Sequence, residues 1–156
     1  RCYSKGNNKP TYEGCSVSEN FKYYPFFKEW CEKQIGFDVK GFALDKDILV
    51  KGNKVYSEDA CVFVPQEINN ILTYKKSTNK GLSASVALQK TGRYSVSFRK
   101  DRITQNLGRF DTPEEAFQAY KQVKESYIKE VAEKWKGGID PRVYEALMNW
   151  TVEING

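Results

Sequence analysis

Arginines spaced by short polar residues carry the most chemistry in this chain. In Arg93 to Arg99, Arg93, Ser95, Ser97 and Arg99 alternate with Tyr94, Val96 and Phe98. In Arg102 to Leu107, Arg102, Thr104 and Asn106 alternate with Ile103, Gln105 and Leu107. A period of two belongs to a strand with one face buried, so each run turns its guanidinium, hydroxyl and amide groups to a single side. A guanidinium fork binds a phosphate, or the major-groove edge of guanine, through two parallel hydrogen bonds. Charge agrees with this pattern. Between Lys75 and Phe110 there are nine basic residues (Lys75, Lys76, Lys80, Lys90, Arg93, Arg99, Lys100, Arg102, Arg109) against the single acid Asp101, a balance of +8. The whole chain carries +5, so the remainder is −3. Such a concentration suits a phosphate backbone; the plain alternative is a solvated cationic surface.

These side chains need a rigid support. The two runs predict strands joined by a turn at Lys100-Asp101, and Ser83 to Gln89 supplies a third strand. Thr112-Pro113-Glu114-Glu115 predicts a helix start with a threonine cap, a proline in the first turn and a reciprocating glutamate. Ala116, Tyr120, Val123, Tyr127, Val131 and Trp135 then form a stripe suited to the inner face of the sheet. Upstream, Thr73 to Gly81 is polar and basic and reads as a linker. Phe42 to Asp47 reads as a strand entering a loop, Lys51 to Lys54 as a turn, Cys61 to Val64 as a buried strand, and Pro65 as the opening of a helix to Leu72. Ser18-Glu19-Asn20 caps an aromatic helix from Phe21 to Ile35, with Phe26, Phe27, Trp30, Cys31 and Ile35 as its apolar face and Pro25 at the start of its regular part. After Gly137-Gly138, Asp140-Pro141 caps a last helix that buries Val143 and Leu147, with Trp150 packing back.

The run Leu107 to Ala116 (LGRFDTPEEA) followed by Ala119-Tyr120 resembles the DNA-binding domain of the plant ethylene-response factors (the apetala-two type), over about a third of the chain. The resemblance implies a three-stranded sheet in the major groove whose outward arginines touch bases and phosphates. Arg99 matches the arginine that ends the middle strand, and Asn106 stands where the plant domains carry a tryptophan. A second stretch, Leu44-Asp45-Lys46-Asp47, Gly52 to Ser57 and Cys61 to Asn69, resembles the ββα-metal finger of the HNH endonucleases found in many bacteriophage genes. That likeness implies a metal aspartate at Asp45 and a helix ligand at Asn69, with Asn70 as its substitute, and Lys46 at the position of the catalytic histidine. The chain contains no histidine, and a lysine between two carboxylates is a poor general base. A magnesium or other divalent ion held by Asp45, Asp47 and Asn69 would still activate water.

The expected protein is therefore α+β in two modules: a finger module over residues 1–72, a linker over 73–81 and a sheet-plus-helix domain over 82–156. Its expected partner is double-stranded DNA, contacted by Arg93, Ser95, Ser97, Arg99, Lys100, Arg102, Thr104, Asn106 and Arg109, with Lys75, Lys76, Lys80 and Lys90 adding salt-sensitive affinity. Two other readings stay open: a metal-dependent endonuclease using Asp45 and Lys46, and a nuclease scaffold that docks on a host protein. No run of about eighteen apolar residues occurs, so no membrane span is expected. The four cysteines, Cys2, Cys15, Cys31 and Cys61, lack the paired spacing of a zinc ribbon and are read as buried thiols, a four-cysteine metal site and disulfides being the alternatives. The expected location is the cytoplasm, that of the host cell if a phage encodes the chain. The start at Arg1 without methionine suggests an element preceding it.

Overall fold

The computed structural model describes residues 12–73 and 85–153. In chain order its elements are β1 (Ser16–Val17), α1 (Glu19–Lys22), α2 (Tyr24–Glu32), β2 (Phe42–Asp45), β3 (Val55–Tyr56), β4 (Val62–Pro65), α3 (Gln66–Leu72), β5 (Val86–Leu88), β6 (Tyr94–Lys100), β7 (Ile103–Phe110), α4 (Pro113–Trp135) and α5 (Pro141–Met148). The architecture is α+β, with small sheets. Two compact units divide it, residues 1–71 with 135–146 and residues 72–134 with 147–156. Residues 135–146, expected with the sheet domain, thus group with the first unit. Lys75, Lys76, Lys80, Cys2 and all of the expected linker except Thr73 lie outside the described residues. Among the described residues, no helix is long and apolar enough to cross a membrane.

In the first unit, β2 and β4 pair antiparallel, from Phe42 opposite Pro65 to Asp45 opposite Val62. Val62, Val64, Ile68 and Ile71 are buried where this ladder runs into α3. Pro65 closes β4 instead of opening the helix: the next amide, Gln66 N–H, donates to Gly41 O at 2.8 Å and extends the ladder by one bond. A short parallel pair, β1 with β3, was not foreseen, since two residues are too few to show a period. The helix expected over Phe21 to Ile35 is broken at Tyr23, which is extended (φ −86°, ψ 103°). Pro25 has no N–H for the carbonyl of Phe21, so a continuous helix is not available there. Ser18 caps α1 as expected, its Oγ accepting from Phe21 N–H at 3.3 Å. Phe21 is buried against Phe27 and Trp30, with ring centroids 4.9 and 4.8 Å away. Phe26 and Ile35, assigned to the apolar face, are exposed; Ile35 lies beyond the end of α2 at Glu32.

Cys31 and Cys61 are buried free thiols, as expected, whereas Cys15 is half-buried. Burial pushes the Cys61 thiol up to about 11 and raises Cys31 as well. Trp135 lies edge-on to Phe42, with 5.8 Å between centroids, and its Nε1–H donates to Glu67 Oε2 at 2.8 Å. Asp140 Oδ1 accepts from Arg142 N–H at 2.9 Å, the cap expected for α5, and Val143 and Leu147 are buried.

In the second unit, β5, β6 and β7 form one antiparallel sheet in that order. The expected first strand is shortened to three residues, Val86–Leu88. Val96 and Phe98 are buried toward α4, where the ring of Phe98 meets Tyr120 at 6.1 Å and Tyr127 at 5.6 Å. The cap of α4 is as predicted, Glu115 N–H donating to Thr112 Oγ1 at 3.3 Å. Its buried set is wider than the single stripe expected: Phe117, Ile128 and Ala132 join Ala116, Tyr120 and Val131, while Val123 and Tyr127 are half-buried. The helix is covered on a second side, where Val152 N–H donates to Glu125 Oε1 at 2.8 Å.

Lys124 occupies the middle of that stripe, at helical spacing from Phe117, Tyr120, Ile128 and Val131. Among the described residues no ion pair or hydrogen bond reaches its ammonium. Burial pulls its pKa below the usual lysine value. The unfolded chain therefore holds this proton more tightly, and stability rises with pH through the interval between the folded and unfolded values. Lys124→Met is expected to stabilise the unit by about 1 kcal/mol at pH 7, a rise in Tm of roughly 4–8 °C. Thermal melts at pH 7 and pH 10 check this, because the gain should shrink at the higher pH.

Candidate nucleic-acid interface

The register of the sheet fixes which side chains share its outer face. Ser95 pairs with Arg109, Ser97 with Asn106 and Arg99 with Thr104, and Ala87 joins them from β5. Directly opposed residues point to the same side, so Ser95, Ser97, Arg99, Thr104, Asn106 and Arg109 form one polar surface opposite Val96 and Phe98. Their phase on the two long strands is the one read from the sequence. Among the described residues, no aromatic ring belongs to this surface. Three strands about 4.8 Å apart present a ridge of roughly 10 Å.

Several expected contacts are already committed. Arg93 Nε–H donates to Asp111 Oδ1 at 3.0 Å and its Nη2 to Arg109 O at 3.3 Å, so this arginine pins the open end of the hairpin. Ser95 Oγ accepts from Gln89 Nε2 at 2.6 Å and lies 3.4 Å from Ala87 O. Lys100 shares the inner side with Ile103, where it pairs with Glu130 and lies 5.0 Å from the ring centroid of Tyr127. Arg102 is not on a strand. The turn is Asp101-Arg102, one residue later than expected, and both residues are left-handed (φ 49° and 68°). Arg102 is exposed at the hairpin tip, and Lys90 is exposed in the β5–β6 connection closed by Gln89 N–H on Arg93 O at 2.8 Å. Arg99, Thr104, Asn106 and Arg109 are the exposed members of the outer face that remain most available, with Ser97 between them.

Electrostatics distinguishes the two units. The first holds twelve basic and twelve acidic residues, and the second thirteen basic and eight acidic, so the second carries the whole net charge of +5. Within it, Glu114, Glu115, Glu130 and Glu133 are exposed on α4. α4 itself is close to neutral, with Lys121, Lys124, Lys129 and Lys134 against five glutamates, so the positive charge of this unit comes from outside the helix.

The second candidate cluster is at the end of β2. Asp45 Oδ1 accepts from Asp47 N–H at 2.8 Å and Ile48 N–H at 2.9 Å. Burial raises the Asp45 pKa, and the neighbouring Asp47 charge adds to the effect. Lys46 Nζ lies 3.2 Å from Asp47 Oδ2 and 5.8 Å from the ring centroid of Tyr56. Asn69 is half-buried on α3, and Asn70 beside it is exposed, its Oδ1 accepting from Gln66 Nε2 at 3.0 Å. Asn53 ties the loop together: its Nδ2 donates to Lys46 O and Val55 O, both at 2.8 Å, and its Oδ1 accepts from Val55 N–H at 3.0 Å. Sequence reasoning placed Asn53 in a turn and in the stretch that resembles the finger but gave it no role, although an asparagine after a turn glycine is the residue type that bonds its own backbone in this way. Two of the expected ligands already have partners. One oxygen of Asp45 is committed to two amides, and Asp47 already faces an ammonium whose charge opposes a second cation. Among the described residues, no group of three or more His, Cys, Asp and Glu side chains comes together.

Compared with family models, curated proteins and solved structures, the chain has no match in any of the three. Its functional reading therefore rests on its own residues and geometry.

Proposed function

We propose that this chain binds double-stranded DNA through the outer face of the β5-β6-β7 sheet, and that its first unit is an HNH-like ββα scaffold without the metal chemistry of that family. One observation carries the proposal: Arg99, Asn106 and Arg109 lie exposed on a single face, free of aromatic rings among the described residues, of the unit that carries the net positive charge. Hydrogen-bond donors on a ridge of groove width suit phosphate oxygens and base acceptors together. The order β2, loop, β4, α3 and the Asn53 clasp support the scaffold half of the reading.

Titration of the intact chain against random-sequence duplex DNA at two salt concentrations tests the proposal. Each neutralised phosphate contributes about −0.9 to the slope of log affinity on log salt, so three contacts predict a loss of roughly 40-fold between 50 and 200 mM salt. Affinity unchanged by salt, or no duplex binding at the lower salt, removes the proposal. Salt-resistant binding to a protein in place of DNA would favour the docking alternative.

A further inference from the structure

Asn106 sits at the point where the β6–β7 ladder changes register: Ser97 faces Asn106, Val96 faces Gly108, and Leu107 is the additional residue of a bulge. Gly108 adopts φ 121°, a conformation that glycine takes without strain. Its N–H donates to Asn106 Oδ1 at 2.9 Å. An N–H can be accepted only by the oxygen of the side-chain amide, so this bond also fixes which end of the amide is turned away. Asn106 is exposed, and among the described residues no acceptor meets its Nδ2. The bulge therefore holds the amide in one orientation and leaves its NH2 group as the available end.

We propose that Asn106 is a specificity-determining residue that reads one base through the oriented Nδ2, donating to an acceptor on the major-groove edge. This rests on the duplex-binding reading above and sharpens it. A free asparagine pairs with adenine through both ends of its amide, accepting from N6 and donating to N7. The Gly108 bond takes one of the two Oδ1 lone pairs and fixes the orientation of the amide, so the end without a partner among the described residues, and the one the residue presents, is the Nδ2 donor. Guanine, adenine and thymine each present an acceptor in the major groove, at N7 or O6, at N7 and at O4, whereas cytosine presents its N4 amino donor. Asn106 thus accepts any of three bases at its position and disfavours cytosine, whose amino group would leave two donors facing each other. This is exclusion of one base, unlike the positive selection that a bidentate arginine makes.

Selection from a randomised duplex library, read by sequencing and run in parallel on the parent and on Asn106→Ser, tests the inference. A serine hydroxyl can still accept from the backbone N–H two residues on, so the variant keeps an acceptor for Gly108 while losing Nδ2. Affinity for non-selected duplex at the same salt serves as the control for folding. The parent should deplete cytosine at one position by roughly 5- to 10-fold, the effect of one hydrogen bond of about 1 kcal/mol. The variant should lose that depletion, keep the preferences at other positions and bind non-selected duplex within about twofold of the parent. An unchanged selection profile overturns the inference, as does equal weakening on every sequence, which would mark a phosphate contact or a purely structural bulge. Salt-sensitive binding by the parent without any base preference overturns it too, while leaving the duplex-binding proposal standing. Absence of duplex binding by the parent is the separate failure of that proposal.

Discussion

Gly36→Ala is expected to unfold the first unit. A Cβ on residue 36 would lie 2.4 Å from Phe42 Cδ2, 2.7 Å from Phe42 Cε2 and 3.3 Å from Phe63 Cβ, and the residue has φ 89°. Neither ring has an easy retreat. Phe42 is set against Trp135, and Phe63 is set between Trp30 and Phe37. Overpacking costs about 1–3 kcal/mol and a left-handed alanine about 1–2 kcal/mol more, a total comparable with the whole stability of a small unit. Gly41→Ala separates the two contributions, because Gly41 has φ 88° with nothing within 4 Å of its added Cβ. Urea titration of both variants, followed by the fluorescence of Trp30 and Trp135, should show Gly36→Ala unfolded or nearly so in buffer. Gly41→Ala should be destabilised by only about 1–2 kcal/mol. Equal losses in the two variants would mean that Phe42 does not limit the space at residue 36.

The second unit was the more legible of the two, and the reason is element length. β6 and β7 are seven and eight residues long, enough for a period of two to be unambiguous, and α4 announces its start through Thr112 and Pro113. The strands β1 and β3 have two residues each and leave no periodic trace. The one-residue error at the hairpin tip has a specific cause. A two-residue turn with both residues left-handed is normally signalled by Asn-Gly or Asp-Gly, and here the second position is Arg102. Moving the turn carried Arg102 off the strand, and the register placed Lys100 beside Glu130. The candidate contacts divide in the same way. Arg99, Thr104 and Asn106 follow from alternation alone, whereas the ties on Arg93 and Ser95 depend on Asp111 and Gln89, partners that only the folded hairpin brings within reach. The bulge at Asn106 did leave a signal, since Gly108 interrupts a strand and such a glycine often marks a bulge. In the first unit, Pro25 carried enough information to divide the aromatic helix in two.

The sorting of arginines into committed and available ones predicts a large and selective effect on DNA binding. Arg99 and Arg109 are exposed on the outer face, and among the described residues neither makes an ion pair through its side chain. Their replacement by alanine leaves no buried partner unmatched, so stability should move by no more than about 0.5 kcal/mol. Each well-placed guanidinium contributes about 1–3 kcal/mol of discrimination. The pair sits far apart: Arg99 is level with Thr104, and Arg109 is five residues further along β7, on the order of 15 Å at about 3.4 Å per residue. Effects at that separation add. Arg99→Ala with Arg109→Ala should therefore cost about 2–6 kcal/mol on the preferred duplex, at least roughly 30-fold in affinity. Arg93→Ala should behave in the opposite way. Its guanidinium is engaged by Asp111 and Arg109 O, so its loss should loosen the hairpin in hydrogen exchange and change duplex affinity by less than about threefold. Fluorescence-anisotropy titrations of the three proteins at one salt concentration decide the matter. If Arg93→Ala loses as much affinity as the double variant while remaining folded, the outer face as drawn is not the surface that meets the duplex.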